Sequence, residues 1–215
     1  MSEVDPGGGF SVDDEGGVFE EYPELAILYS RVIASWSTVQ GFIGLAAESL
    51  LYGRSDVAAA MFSALAEDSQ QYAALYAAAE VALSKDDAEL FKKALRAIRA
   101  RGAGRHRLAH AVIGSNAMAE GCLLVIEQRV FSRMSRIFFT PPNPGQERAE
   151  QVRASMREAA REVLVIDKVD LEAMLSDIGV ASSFAADVSI LAAPAHHDKP
   201  GARKRLLERL SVEKS

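Results

Sequence analysis

Leu25, Tyr29, Val32, Trp36, Val39, Ile43, Ala46 and Leu50 step along the chain by 4,3,4,3,4,3,4. Those steps place all eight on one stripe of an α-helix, a seam with coiled-coil spacing, and predict one long helix over Glu20–Tyr52. Pro23 falls in its first turn, where a missing N–H costs nothing. Gly53 suits its C-terminal cap. Gly41 and Gly44 weaken such a helix but permit a neighbour to come close.

Helical spacing of apolar residues continues downstream. Val57, Met61, Phe62 and Leu65 mark a second helix, opened by Ser55. Tyr72, Leu75, Tyr76, Ala79 and Leu83 mark a third from about Asp68. Ser84 followed by Asp86, Asp87 and Glu89 is a helix start, since a hydroxyl caps the first N–H groups and acids favour the positive end of the dipole. This fourth helix runs through Leu90, Phe91, Leu95 and Ile98 to about Arg101. After Gly102-Ala103-Gly104, helix is expected to resume from Arg105 to about Ile113. A charged helix is expected over Gln146–Val163, and a last long one opens at Asp167 or Asp170 and stops before Pro194. The apolar run Gly121–Ile126 suits a strand, with Ile137–Thr140 as a hairpin partner. The fold class is therefore mainly all-α: a multi-helix bundle with a small β-hairpin around 121–140.

Residues 1–19 are acidic and Gly-rich and read as a disordered tail. A helical domain spans 20–193, and 194–215 form a polar tail with a short amphipathic helix around Leu206, Leu207 and Leu210. The single cysteine, Cys122, excludes an intrachain disulfide and suits a reducing compartment. The acidic start lacks the pattern of a signal peptide, and no unbroken apolar run reaches the ~18 residues of a spanning helix. A cytoplasmic chain without a membrane partner is expected.

The net charge of −6 conceals an uneven distribution. Seven acids lie within residues 1–21, and without them the chain has 24 basic against 23 acidic residues. From Leu90 to Ala119 there is no acid, against Lys92, Lys93, Arg96, Arg99, Arg101, Arg105 and Arg107. Such a block is a footprint for a polyanion or a solvated helix face. Within it stands Arg105-His106-Arg107-Leu108-Ala109-His110. On a helix His106 and His110 share a face, and Arg107 lies at i,i+3 from His110. Arginine grips phosphate through a planar fork of donors. Histidine takes or gives a proton near neutral pH. Cleavage of RNA by its own 2′-OH needs a base, an acid and cations for the developing charge, but no metal.

This segment resembles the motif of the HEPN superfamily: an arginine, a polar residue, a gap, then histidine, with four to six residues between arginine and histidine. His106 fills the polar position. The resemblance covers about Glu20–Ala119 and implies a compact all-α bundle, leaving 120–193 as an extension. It also implies a metal-independent endoribonuclease of toxin–antitoxin or phage-defence type, working as a homodimer on RNA with an antitoxin or other protein partner. By this resemblance Arg105 and His110 would carry catalysis and His106 would assist; from the acid-free basic block, Arg96, Arg99, Arg101 and Arg107 would hold nucleic acid. The competing reading is a non-catalytic helical module that binds a protein or nucleic acid. Cys122 reads as buried filler and His196-His197-Asp198 as surface. No phosphate loop, Cys-x-x-Cys pair or His-Glu-x-x-His is present, so no cofactor or structural metal is expected.

Overall fold

The computed structural model describes residues 10–12, 17–51, 57, 60–62, 64–65, 67–116, 119–139, 154, 157–158 and 161–212. The chain is mainly helical, with one small antiparallel sheet, and divides into two units. One comprises residues 1–33 and 104–174, the other 34–103 and 175–215.

The decisive helix is Pro23–Leu50. Leu25, Val32, Trp36, Val39, Ile43, Ala46 and Leu50 of its seam are buried, joined by Leu28 and Ala47. Each large apolar side chain taken out of water contributes about 1.5–3 kcal/mol, so this stripe outweighs the two interior glycines.

The unit of residues 1–33 and 104–174 holds the sheet, in the order β1 (Phe10–Val12), β2 (Ala111–Asn116), β3 (Leu123–Glu127), β4 (Leu164–Ile166), every pair antiparallel. The register sets Val112 opposite Ile126 and Ile113 opposite Val125. Gly121, between β2 and β3, has φ +72, a left-handed conformation that favours glycine. β3 is buried at four successive positions, Leu123 to Ile126, as expected of a strand covered on both faces.

Three local expectations differ from the structure here. Phe10–Val12, inside the segment read as a disordered acidic tail, forms an edge strand; the rest of 1–16 lies outside the described residues. The β-hairpin is present, but the partner of Leu123–Glu127 is Ala111–Asn116. Ile137–Phe139 instead end the helix Gln128–Phe139, while Thr140 lies outside the described residues. The reason is period. Val130 and Met134 are one helical turn apart and pack with Ile126 into a core flanked by Val112, Phe131 and Val163. Arg129 and Arg133 of this helix both pair with Glu162. The expected helices from Ser55 to Leu65 and over Gln146–Val163 fall largely outside the described residues.

Asp167 and Asp170 begin the helix Lys168–Ala192 as a reciprocal cap. The Asp170 N–H donates to Asp167 Oδ1 at 2.9 Å, and the Asp167 N–H donates to Asp170 Oδ2 at 3.2 Å. This helix is long and apolar enough to cross a membrane by length and composition alone. Its part in the second unit has the character of a core helix. Ile178, Ala181, Phe184, Ala185, Val188 and Leu191 are buried, and its acids Asp177 and Asp187 are paired with arginines.

The described elements of the second unit are all helices: Asp68–Ala82, Lys85–Arg101 and Lys199–Val212, with parts of the two long helices. Ser84 caps Lys85–Arg101 as expected, its hydroxyl accepting from the Asp87 N–H at 3.3 Å. The C-terminal helix extends the short one expected in the tail. Ala202 and Leu206 are fully buried, and its arginines surround Asp187, which is only 3% exposed. Arg205 Nε donates to Asp187 Oδ1 at 2.8 Å, Arg205 Nη2 to Asp198 Oδ2 at 2.8 Å, and Arg209 Nη1 to Asp187 Oδ2. A buried carboxylate held by two guanidinium groups is satisfied, and losing either partner would strand it.

Two predictions follow from this packing. A Cβ on Gly102 would lie 2.4 Å from the Trp36 ring, whereas one on Gly41 would meet nothing within 4 Å. Gly102→Ala should therefore destabilise by about 1–3 kcal/mol, while Gly41→Ala should stabilise by up to about 1 kcal/mol. Urea unfolding followed by fluorescence of Trp36, the only tryptophan, measures both. Separately, the hydrogen bond from Arg205 holds the Asp198 carboxyl below its ordinary 3.8. A depressed carboxyl contributes stability that is present above its unfolded value and lost as pH falls through the folded one. Stability of Asp198→Asn should thus fall less steeply than wild type below about pH 4, in parallel urea titrations.

Candidate functional site

The segment Arg105–His110 is built on a short helix, Ala103–Ala109, in the first unit. Leu108 is fully buried and anchors it. The Tyr29 hydroxyl donates to the Leu108 carbonyl at 3.4 Å, and Gly104 lies close to the Met174 side chain. Helix was expected to continue to Ile113. It ends at Ala109 because Ala111-Val112-Ile113 enter β2, where β-branched side chains gain strand pairing against Val125 and Ile126. His110 is the turn between, its N–H donating to Arg107 O at 3.4 Å.

This early stop does not separate the two imidazoles. The rings of His106 and His110 have centroids 4.6 Å apart, tilted by 57°, and both residues are exposed. Arg107 is exposed beside them. Arg105 is half-buried, and its Nε is a buried donor with no acceptor among the described residues. Its charge acts on Tyr29: burial pushes the Tyr29 phenol up, and Arg105 partly opposes this. Tyr29 therefore stays protonated near neutral pH and remains a donor. The sequence hid this role, because Tyr29 sits at a seam position where its ring alone accounts for its presence.

The other expected nucleic-acid-binding residues, Arg96, Arg99 and Arg101, belong to the helix Lys85–Arg101 of the second unit. Arg96 and Arg99 are exposed. The Arg99 guanidinium lies over the Tyr72 ring, 5.9 Å from its centroid. Tyr72 is buried, its hydroxyl has no partner among the described residues, and its phenol is pushed up mainly by burial. Arg101 is half-buried and ion-paired with Asp177 at 2.6 Å. Arg101 thus fastens two helices, which leaves Arg96 and Arg107 as the more open cations of the expected set.

The remaining candidates behave structurally. Burial, with Asp167 and Asp170 nearby, raises the Cys122 thiol pKa, the opposite of nucleophile activation. His196 and His197 stack at 4.7 Å, and His196 Nδ1 accepts the Asp198 N–H in the turn before the last helix. Among the described residues no group of three or more His, Cys, Asp or Glu could hold a metal ion. The Asp187 cluster went unread in the sequence, although an acid inside the apolar run Ser183–Leu191 with Arg205 and Arg209 one helical turn apart was its signal.

No family model, curated protein or solved structure matches the chain. What the site can do rests on its own chemistry: two adjacent, solvent-facing imidazoles on the segment that also carries the half-buried Arg105. A buried donor without an acceptor costs about 1–3 kcal/mol. Arg105→Gln should therefore leave thermal stability unchanged or higher. A large loss of stability in a thermal melt would make Arg105 a structural residue.

Proposed function

We propose that the protein is a HEPN-like, metal-independent endoribonuclease acting in the cytoplasm as a homodimer, in a toxin–antitoxin or phage-defence setting with an antitoxin or other protein partner. The observation that carries this reading is the contact between the exposed His106 and His110 rings, on the same short segment as Arg105. A neutral imidazole takes the proton of the RNA 2′-OH, whose oxygen attacks the adjacent phosphorus. A protonated imidazole gives its proton to the departing 5′-oxygen, leaving a 2′,3′-cyclic phosphate. Arg105 and Arg107 supply positive charge for the phosphorane-like transition state.

The geometry also bears on the number of chains. Rings 4.6 Å apart leave no room for a phosphate between them. One copy therefore offers one wall of a site, and a base and an acid on opposite sides of a phosphodiester come from two copies. This favours the homodimer. Arg107, exposed on the same short helix as His106, extends the attraction for the RNA backbone, an interaction that weakens with salt.

Cleavage of total bacterial RNA in EDTA tests the reading. Wild type is expected to leave 2′,3′-cyclic phosphate ends, and His110→Ala to be slower by about 10²–10⁴-fold with an unchanged circular dichroism spectrum. Equal cleavage by the two proteins would remove His110 from the site. Salt-dependent RNA binding without cleavage by either would support the non-catalytic binding module instead.

A further inference from the structure

His106 and His110 hold a second chemical possibility that proton transfer does not use. Two imidazoles four residues apart whose rings lie side by side are a chelating pair for a metal ion once each turns a nitrogen to the same point. The dimensions fit. With metal–nitrogen bonds of about 2.0–2.1 Å, a coordinated imidazole has its ring centre about 3.2 Å from the ion, so two rings subtending about 90–110° have centres roughly 4.5–5.2 Å apart. The observed separation is 4.6 Å. Both side chains are exposed, so each ring turns about χ2 without displacing packed neighbours. Neutral imidazole nitrogen prefers late first-row divalent ions over Mg2+ or Ca2+, which favour oxygen.

We infer that His106 and His110 form a two-histidine site for Zn2+ or Cu2+, and that filling it switches off the nuclease; the second half rests on the reading in the preceding subsection. The ion is an inhibitor here, not a cofactor. It occupies the nitrogen lone pairs that must accept and return protons, so the base and the acid are lost together. Two protein ligands leave coordination positions for water or an anion. The neighbouring charges of Arg105 and Arg107 weaken attraction for a bare dication and favour an anionic co-ligand, so the site is reversible rather than structural. The other histidine pair among the described residues is arranged differently. His196 and His197 are adjacent and stacked, and His196 Nδ1 already accepts a backbone N–H.

The test uses the full, tag-free chain, stripped with EDTA and desalted, and ZnCl2 titrated by calorimetry. Wild type should bind Zn2+. His106→Ala and His110→Ala should each weaken binding on the order of 100-fold, because the second ligand of a chelate acts at high effective concentration. The double variant His196→Gln with His197→Gln should bind as wild type does. Absence of binding by wild type, wild-type affinity in both His106→Ala and His110→Ala, or loss of binding in the His196/His197 variant would each overturn the site. In a parallel assay, saturating Zn2+ should lower wild-type RNA cleavage at least about tenfold, and excess EDTA should restore it, since ligation and proton transfer compete for the same nitrogens. Cleavage indifferent to saturating Zn2+ would overturn the inhibition. Zn2+ binding lost in His110→Ala, with no RNA cleavage under any condition, would uphold the metal site and overturn the nuclease reading.

Discussion

Burial of one narrow apolar stripe along Pro23–Leu50 is the constraint on which the other elements depend. A stripe only one residue wide per turn leaves little tolerance in what covers it. The tightest point is Trp36, whose ring lies where a side chain on Gly102 would have to be. Gly102 has an ordinary right-handed backbone, so glycine is needed there for space and not for conformation. The next residue, Ala103, opens the short helix that carries Arg105, His106 and Arg107. Packing around the tryptophan and the presentation of the basic segment are therefore consecutive demands on the same stretch of chain.

The two units treat polar groups in different ways. Asp187 is deeply buried, yet both its oxygens are engaged by Arg205 and Arg209, and Asp198 takes the remaining reach of Arg205. That network is complete, as a buried charge requires. Arg105 is less buried, but its Nε has no acceptor among the described residues. A fold that satisfies one buried charge fully while leaving another donor open is consistent with Arg105 being kept for an anion that arrives from outside. This is the usual relation between stability and function at a site, where a local cost is retained because the exposed chemistry needs it.

Much of the helical framework was legible in the sequence because it rests on local periodicity and caps. The 4,3 seam, Ser84 before its acids and the Asp167–Asp170 start all concern residues within a turn or two of each other. The sheet was legible only in part. Leu123–Ile126 announced itself as a strand, but its partner did not, since Ala111–Asn116 continues a helical pattern in sequence and becomes a strand through pairing. Phe10–Val12 lies in an acidic, Gly-rich context that argues against order, and register with Gly114–Asn116 overrides that. At the site, the spacing of His106 and His110 was enough to bring their rings together, and it survived the helix ending earlier than expected. What spacing could not show was the division of labour among the arginines. Arg101 is taken up by Asp177, seventy-six positions away in sequence, and Arg99 by the face of Tyr72.

Long-range 1H–15N spectra of the histidine side chains, recorded during titration with a short RNA whose 2′-OH groups are methylated, test most directly whether RNA phosphate meets the protein at His106 and His110, because such an RNA binds without being cut. The account predicts progressive shifts of the His106 and His110 ring nitrogens while those of His196 and His197 stay in place. Unmoved His106 and His110 signals, with RNA binding established by another probe, would contradict it.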